Sequence, residues 1–395
     1  MIRLVFLLLL TTAIPTLSQE VIWQKSFGGA GEDWGNAIVP TSDGGFIGAG
    51  LTTSFKSNPS SEVSLYVVRT DANGEALWEK SLSALVRAEA RGIFDLGDGR
   101  FQIIGMGITA KTGDGNVRRI YSAIIDGGGN LLSEKVVGDS IADATVSIVR
   151  PISTGGYIVV GTQSNKIMAA RLASNGDVLW QRTYQVAVGK DTEGTGIRET
   201  ADGGFVVAGY TSGSPAIGYD AVLMRVSNEG DSLWSRLFGT SAAEYGYDVI
   251  ERTNGSLMLI GRSASAPGEY AKIYTVHTDR NGVFESSAKV GAANDIQVIA
   301  IERTHDGGIL MVGAGGGSSP DVLLVKTDAD GRVQWEKTFE VGTNTLSTGL
   351  AVRQLSDNSY VVTGSGGKGL LIMRVSEPPS AVGDVIALPS VLSLW

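Results

Sequence analysis

One unit of sequence recurs seven times along this chain, and any fold must accommodate that recurrence. Each copy places a glycine four residues after an apolar residue: Phe46, Phe101, Tyr157, Phe205, Leu257, Ile309 and Tyr360 are followed by Gly50, Gly105, Gly161, Gly209, Gly261, Gly313 and Gly364. Successive glycines lie 48 to 56 residues apart. Repeats of this length build solenoids, propellers or arrays, in which one supersecondary unit stacks on the next.

Within a unit four short strand patterns alternate with turn signals. The first is seen in Ile38-Val39, Ile148-Val149, Ile197 and Val249-Ile250. A turn such as Asp43-Gly44-Gly45 or Asp202-Gly203-Gly204 follows, where glycine supplies a positive φ. The second strand is the FVVAG element, and the third is apolar on both faces (LYVVRTD, AVLMRVS, DVLLVKTD), as expected of a strand covered on two sides. A second turn (Asn73-Gly74, Asn175-Gly176, Asn281-Gly282, Asp330-Gly331) leads to a fourth strand marked by Trp23, Trp78, Trp180, Trp234, Phe284 or Trp335, with Ser133 the exception. Four antiparallel strands, seven units and no helical period predict an all-β fold, a seven-bladed β-propeller. The chain opens with an orphan fourth strand (21–25) and ends its last unit on a third strand (370–375), so the N-terminal strand is expected to complete the last blade and close the ring.

Composition narrows the function classes. Residues 1–18 read as a cleaved export signal, with Arg3 before the apolar Leu4 to Leu10 and small residues at Thr16-Leu17-Ser18. The expected organisation is a signal at 1–18, the propeller at 19–376 and a tail at 377–395. The 395 residues include no cysteine, which excludes disulfides and thiol chemistry. Removing the signal takes one of 32 basic residues and none of 41 acids, leaving 31 − 41 = −10. That charge argues against a nucleic acid partner. No stretch is long and apolar enough to span a bilayer.

The residues that resemble chemistry are better read as structure. His277 falls where other units hold Arg69, Arg171, Arg225, Lys326 or Arg374, and His305 falls on an ordinary turn position. The turns DANG, DRNG and DADG resemble fragments of calcium loops but lack the glutamate at the twelfth position. No catalytic constellation and no resident cofactor is expected, a calcium ion being the one candidate.

An acid stands ahead of the first strand in six of the seven units: Glu32 and Asp33, Glu89, Asp143, Asp191 and Glu193, Glu244, and Asp295; the seventh has Thr345 and Ser347. These acids either order their own loops by accepting N–H groups, or form an acidic ring at one mouth of the channel that takes a cation or a polar ligand. The candidate site is Asp33, Trp34, Asp191, Glu193, Glu244 and Tyr247, the aromatics, with Tyr245, offering stacking surface.

The repeat W-x-K-x-(F/L)-GG … DGG(F/Y)-(I/V)-x-x-G … W covers roughly residues 20–376 and resembles secreted bacterial β-propeller repeat proteins of the Bacteroidetes type. The tail SEPPSAVGDVIALPSVLSLW resembles the linker before a C-terminal sorting domain of the type IX secretion system. The segment RTDANGEALWEKS is similar to the tryptophan-docking motif of pyrroloquinoline quinone propellers. Kelch repeats share the glycine pair and the tryptophan, although there the pair closes a strand instead of opening one. The absence of catalytic groups, together with the export address, points to an exported, monomeric, non-enzymatic propeller at the cell surface or outside the cell, presenting a binding face to a protein or glycan. The alternatives are a polysaccharide-acting enzyme using channel-mouth carboxylates and a scaffold of an envelope assembly.

Overall fold

The computed structural model describes residues 20–109, 117–138, 143–187, 190–212, 218–240, 242–264, 270–291, 295–316, 320–342 and 346–377. Residues 1–18, read above as an export signal, most of the tail and Thr345 lie outside them. The described residues form 28 strands and no helix, in seven antiparallel sheets of four. The protein is a seven-bladed β-propeller. Blades 1 to 6 each use four consecutive strands, from β2 (Asp33–Pro40) onward. Blade 7 takes β26 (Ser347–Gln354), β27 (Tyr360–Gly366) and β28 (Gly369–Val375), and borrows β1 (Val21–Phe27) as its outer strand. The expected closure is thus present, with Phe27 opposite Leu370 and Trp23 opposite Arg374.

The core lies between blades, not within them. Seven apolar clusters are each shared by two neighbouring sheets. The cluster at the closure joins Phe46, Tyr66 and Val68 of blade 1 to Val361, Leu370 and Ile372 of blade 7. Burial on both faces explains the unbroken apolar run of the third strands.

Every first strand has a β-bulge at the same level, beside the repeat glycine. The geometry explains that glycine. A Cβ at Gly50, Gly105, Gly161, Gly209, Gly261, Gly313 or Gly364 would lie 1.7 to 2.2 Å from the carbonyl oxygen of the first-strand residue just before the bulge. No side chain fits in that space, so the glycine permits a close backbone approach. The bulge turns the first strand and re-aims the residues around it.

A second repeating device sits at the outer edge. The fourth-strand tryptophan pairs across the strand with the third-strand cation: Trp78 with Arg69, Trp180 with Arg171, Trp234 with Arg225, Trp335 with Lys326. The indoles of Trp23, Trp78, Trp180 and Trp234 lie against the positive-φ glycines Gly74, Gly129, Gly230 and Gly282 of the next blade's turn, where a Cβ would come within 3.0 Å of the ring. Three of them also donate to that turn: Trp23 Nε1 to Ala72 O (3.1 Å), Trp78 Nε1 to Gly127 O (3.2 Å) and Trp180 Nε1 to Asn228 O (2.9 Å). The cation beneath reaches back to the Asp of its own blade's first turn, as in Arg69 to Asp43, Arg225 to Asp202, Lys326 to Asp306 and Arg374 to Asp357.

The register corrects one expectation. In blade 5 the residue opposite His277 is Ser286, whereas Phe284 lies two positions earlier and is exposed. Blade 5, like blade 2 with Ser133 opposite Ile124, therefore lacks the tryptophan. The bulge between third and fourth strands recurs in blades 1 to 6, and the step of four residues from turn glycine to tryptophan, as from Gly74 to Trp78, leads in blade 5 from Gly282 to Ser286.

Two expectations follow. Deleting residues 20–27 strips blade 7 of its outer strand and the closing cluster of Phe27, so the melting temperature should fall sharply and the transition broaden; an unchanged melting curve would remove the closure from the stability account. The turn carboxyls titrate abnormally: Asp43 is lowered to about 2 by the Thr41 hydroxyl and the N–H and guanidinium around it, and Asp202 to about 2 by Arg225 and Thr200. At Asp306 burial pushes upward, but the Lys326 ammonium and the Thr304 hydroxyl outweigh it and hold the group at about 2. A depressed folded-state value contributes stability that is complete above the ordinary 3.8 and is lost as pH falls through about 2. Urea titrations between pH 5 and pH 2 should therefore show a steep acid loss that flattens in Asp202→Asn; an identical slope in the variant would contradict this linkage.

Candidate functional site

At the mouth where the first strands enter, the six acid-bearing loops do not place their carboxylates equivalently. Aligned on the bulge, they occupy three successive positions. Asp33 and Glu244 stand two residues before it, Glu89 and Glu193 one before, and Asp143, Asp191 and Asp295 three before. Side chains alternate across a strand, so a one-residue offset sends a carboxylate to the opposite side.

Asp33 and Glu244 are fully buried and serve their loops. Asp33 accepts from Gly29 N (2.7 Å), Ser54 Oγ (2.7 Å) and the hydroxyl of Thr52, its cross-strand partner. Glu244 accepts from Thr240 N (2.8 Å), Thr240 Oγ1 (2.7 Å) and Ser263 Oγ (3.0 Å), Ser263 again being the cross-strand partner. Three other acids are matched by arginines: Glu89 lies buried between Arg87 (3.1 Å) and Arg91 (2.7 Å), Asp143 chelates Arg118, and Asp295 meets Arg262 at 3.0 Å. Among the described residues no group of three or more His, Cys, Asp or Glu side chains could hold a metal ion.

Glu193 and Tyr247 belong to something else. The bulges of blades 4 and 5 bring Glu193, Tyr245 and Tyr247 to the mouth, where β15 (Phe205–Ser212) carries Tyr210 near its end and β16 (Tyr219–Val226) begins. Four tyrosines thereby form a continuous patch. Tyr219 and Tyr245 have ring centres 4.9 Å apart, Tyr210 stands edge-on to both at 5.6 and 5.0 Å, and Tyr247 stacks on Tyr245 at 6.4 Å. Tyr219 is exposed and the other three are half-buried. The Tyr210 hydroxyl donates to Glu193, and Arg262, the cross-strand partner of Tyr245, lies beside Tyr247. Burial, reinforced at Tyr210 by Glu193, raises the Tyr210, Tyr245 and Tyr247 phenols, so these hydroxyls stay protonated across the physiological range. The arrangement offers ring faces, hydroxyls and one carboxylate on a single surface.

Trp34 holds the position of Glu193 and Tyr245 in blade 1, exposed and within 3.4 Å of Glu32 through its indole N–H, but it stands apart from the tyrosines. Asp191 lies exposed at the head of the blade 4 strand, its carbonyl accepting from Thr211. Tyr210 and Tyr219 were not evident from sequence, because strand ends in different turns become neighbours only through the blade. The channel arginines described below were equally unmarked, although Ile-Val-Arg150, Gly-Ile-Arg198 and Ala-Val-Arg353 repeat a visible pattern.

No protein-family model matches the chain, and no curated protein matches it in sequence. Its fold is similar to that of many solved structures. One of unknown function from Dyadobacter fermentans is 13% identical, with a TM-score of 0.52 over 91% of this chain and 99% of that one. Sqt1 from Chaetomium thermophilum is 10% identical, with a TM-score of 0.50 over 90% and 99% of the two chains. The polysaccharide lyase Uly1 is 10% identical, with a TM-score of 0.54 over 88% and 91%. At these identities the likeness is one of fold.

Proposed function

We propose that the protein is an exported, non-enzymatic propeller of the bacterial cell surface or its surroundings that binds a glycan through the tyrosine patch at its first-strand mouth. The single observation that supports this reading is the contiguity of Tyr210, Tyr219, Tyr245 and Tyr247 beside Glu193. Sugar rings present C–H faces that lie on aromatic rings and hydroxyls that exchange hydrogen bonds with phenols and carboxylates. Tyrosine supplies both at low entropic cost, having few rotatable bonds to freeze. A protein ligand would use the same chemistry, since buried aromatic anchors dominate such interfaces. Export, the type IX route implied by the tail and a monomeric state belong to the same proposal, as does the absence of a cofactor; Asp191 extends the rim of the site, with Trp34 a second contact for a long ligand.

The test is a glycan array with the purified protein, followed by calorimetry on the best binder. Tyr245→Ala and Tyr219→Ala should each weaken binding at least tenfold, and Glu193→Gln several-fold, with the melting temperature nearly constant for Tyr219→Ala because its ring is exposed. Binding that survives both tyrosine substitutions would place the ligand elsewhere. Release of product from a polysaccharide, lost in Glu193→Gln, would instead favour the enzyme reading.

A further inference from the structure

The central channel carries charge of the opposite sign to the protein as a whole. Below the bulges, the first strands project Arg150, Arg198 and Arg353 inward, and Arg91 joins them at the bulge itself. One carboxylate, Asp248, is shared by two guanidiniums: Arg150 at 2.7 Å and Arg198 at 2.8 Å. Arg198 also donates to Ile301 O at 2.8 Å. Glu302 takes Arg353 at 3.2 Å, and Glu89 is divided between Arg87 and Arg91. Four channel arginines, Arg91, Arg150, Arg198 and Arg353, thus meet three carboxylates, one of which, Glu89, is shared with Arg87 from the rim. The crowding is felt at Arg150: burial, then the neighbouring Arg198, pushes its guanidinium down to about 10, even though Asp248 opposes the shift.

Above this cluster lies a cavity of about 100 Å³ whose lining includes Arg91, Arg150 and Arg353 with the polar Asn36, Ser147 and Thr195, and no Asp or Glu. The Nε–H groups of Arg91 and Arg150 are buried without a hydrogen-bond partner. Two of the polar groups are committed to the walls: Asn36 Nδ2 donates to Ala90 O (3.0 Å) and Thr195 Oγ1 to Gly246 O (2.7 Å). A buried donor left unpaired costs more than a made bond returns, and unmatched positive charge within low-dielectric walls focuses a strong field.

We propose that this cavity is a binding site for a small multivalent oxyanion of the phosphate or sulfate class, bound by Arg91, Arg150 and Arg353 with Ser147. A planar carboxylate is satisfied by one arginine fork. Donors arriving from three blades around a channel suit a tetrahedral anion with oxygens on every side. None of the four tyrosines lines this cavity, so the proposal does not depend on the patch.

The experiment is thermal melting and calorimetry of the full chain with sodium phosphate, sodium sulfate and sodium chloride at matched ionic strength. A ligand that binds only the folded state raises the melting temperature with its concentration. Phosphate or sulfate should raise it and chloride should not. Ser147→Asp places a carboxylate in the cavity without removing an arginine, and should weaken phosphate at least tenfold while leaving the fold intact. Arg353→Gln should weaken it by a similar factor. Equal effects of the three salts on the wild type, or phosphate binding unchanged in Ser147→Asp, would overturn the proposal. A sulfated oligosaccharide that displaces phosphate would identify the group as one carried on a polymer; failure to compete assigns the site to the free ion.

Discussion

Seven contacts between a glycine Cα and a carbonyl oxygen underlie this architecture. At each, the second strand presses against the first where the first gains a residue, and only hydrogen fits in the gap. The bulge bends the inner strand and sets which residues look into the channel and which look out at the mouth. Glu193 and Tyr245, whose carbonyls touch Gly209 and Gly261, therefore stand at one level of two neighbouring blades, beside Tyr210 and Tyr219. The same step, two residues further on, orients Gly196, Asp248 and Ala351 on the channel wall. The repeat glycine therefore organises both the core and the surface that can meet a ligand.

The outer rim is fastened by a different principle. In blades 1, 4 and 7 the clasp is an indole laid on a turn glycine of the next blade and a cation tied to an aspartate of its own; in blade 3 Arg171 reaches Thr154 and Asn228 instead, and in blade 6 the Trp335 indole meets Glu377. Arg69 and Trp78 even converge on one acceptor, Gly127 O. Blades 2 and 5 lack the tryptophan, and the turns they would grip fill the space otherwise. Gly176 faces Ser122, and Gly331 faces Met258 and His277. Losing the indole and the Arg or Lys together is consistent with their acting as one cross-strand pair. Seven inter-blade cores make the ring tolerant of two missing fasteners.

Much of the fold was legible because it repeats. The blade number, the strand order and the closure by residues 21–27 all follow from counting units that share one pattern. The candidate site was far less so. Counting from turn glycines grouped Asp33, Glu89 and Asp143 as one ring, but the inner strand alternates its side chains, so an offset of one residue separates a buried loop staple from a salt-bridged rim group. Tyr210 and Tyr219 lie in different strands, and only the register of blade 4 and the approach of blade 5 unite them with Tyr245. The arginines of the channel are masked in the overall acidity, because net charge says nothing about where its exceptions gather. Phe284 was a miscount: the step of four residues that leads from Gly74 to Trp78 and from Gly230 to Trp234 leads from Gly282 to Ser286.

The repeat glycine exists for close approach and not for backbone freedom. The direct measurement is the urea unfolding free energy of Gly209→Ala. Gly209 has no left-handed backbone angle, and a Cβ there would meet Glu193 O at 2.2 Å. The expected loss is about 1–3 kcal/mol, the cost of overpacking. Where no clash exists, Gly→Ala instead stabilises by about 0.4–1 kcal/mol through the unfolded chain. A Gly209→Ala protein as stable as the wild type, or more so, would contradict the account.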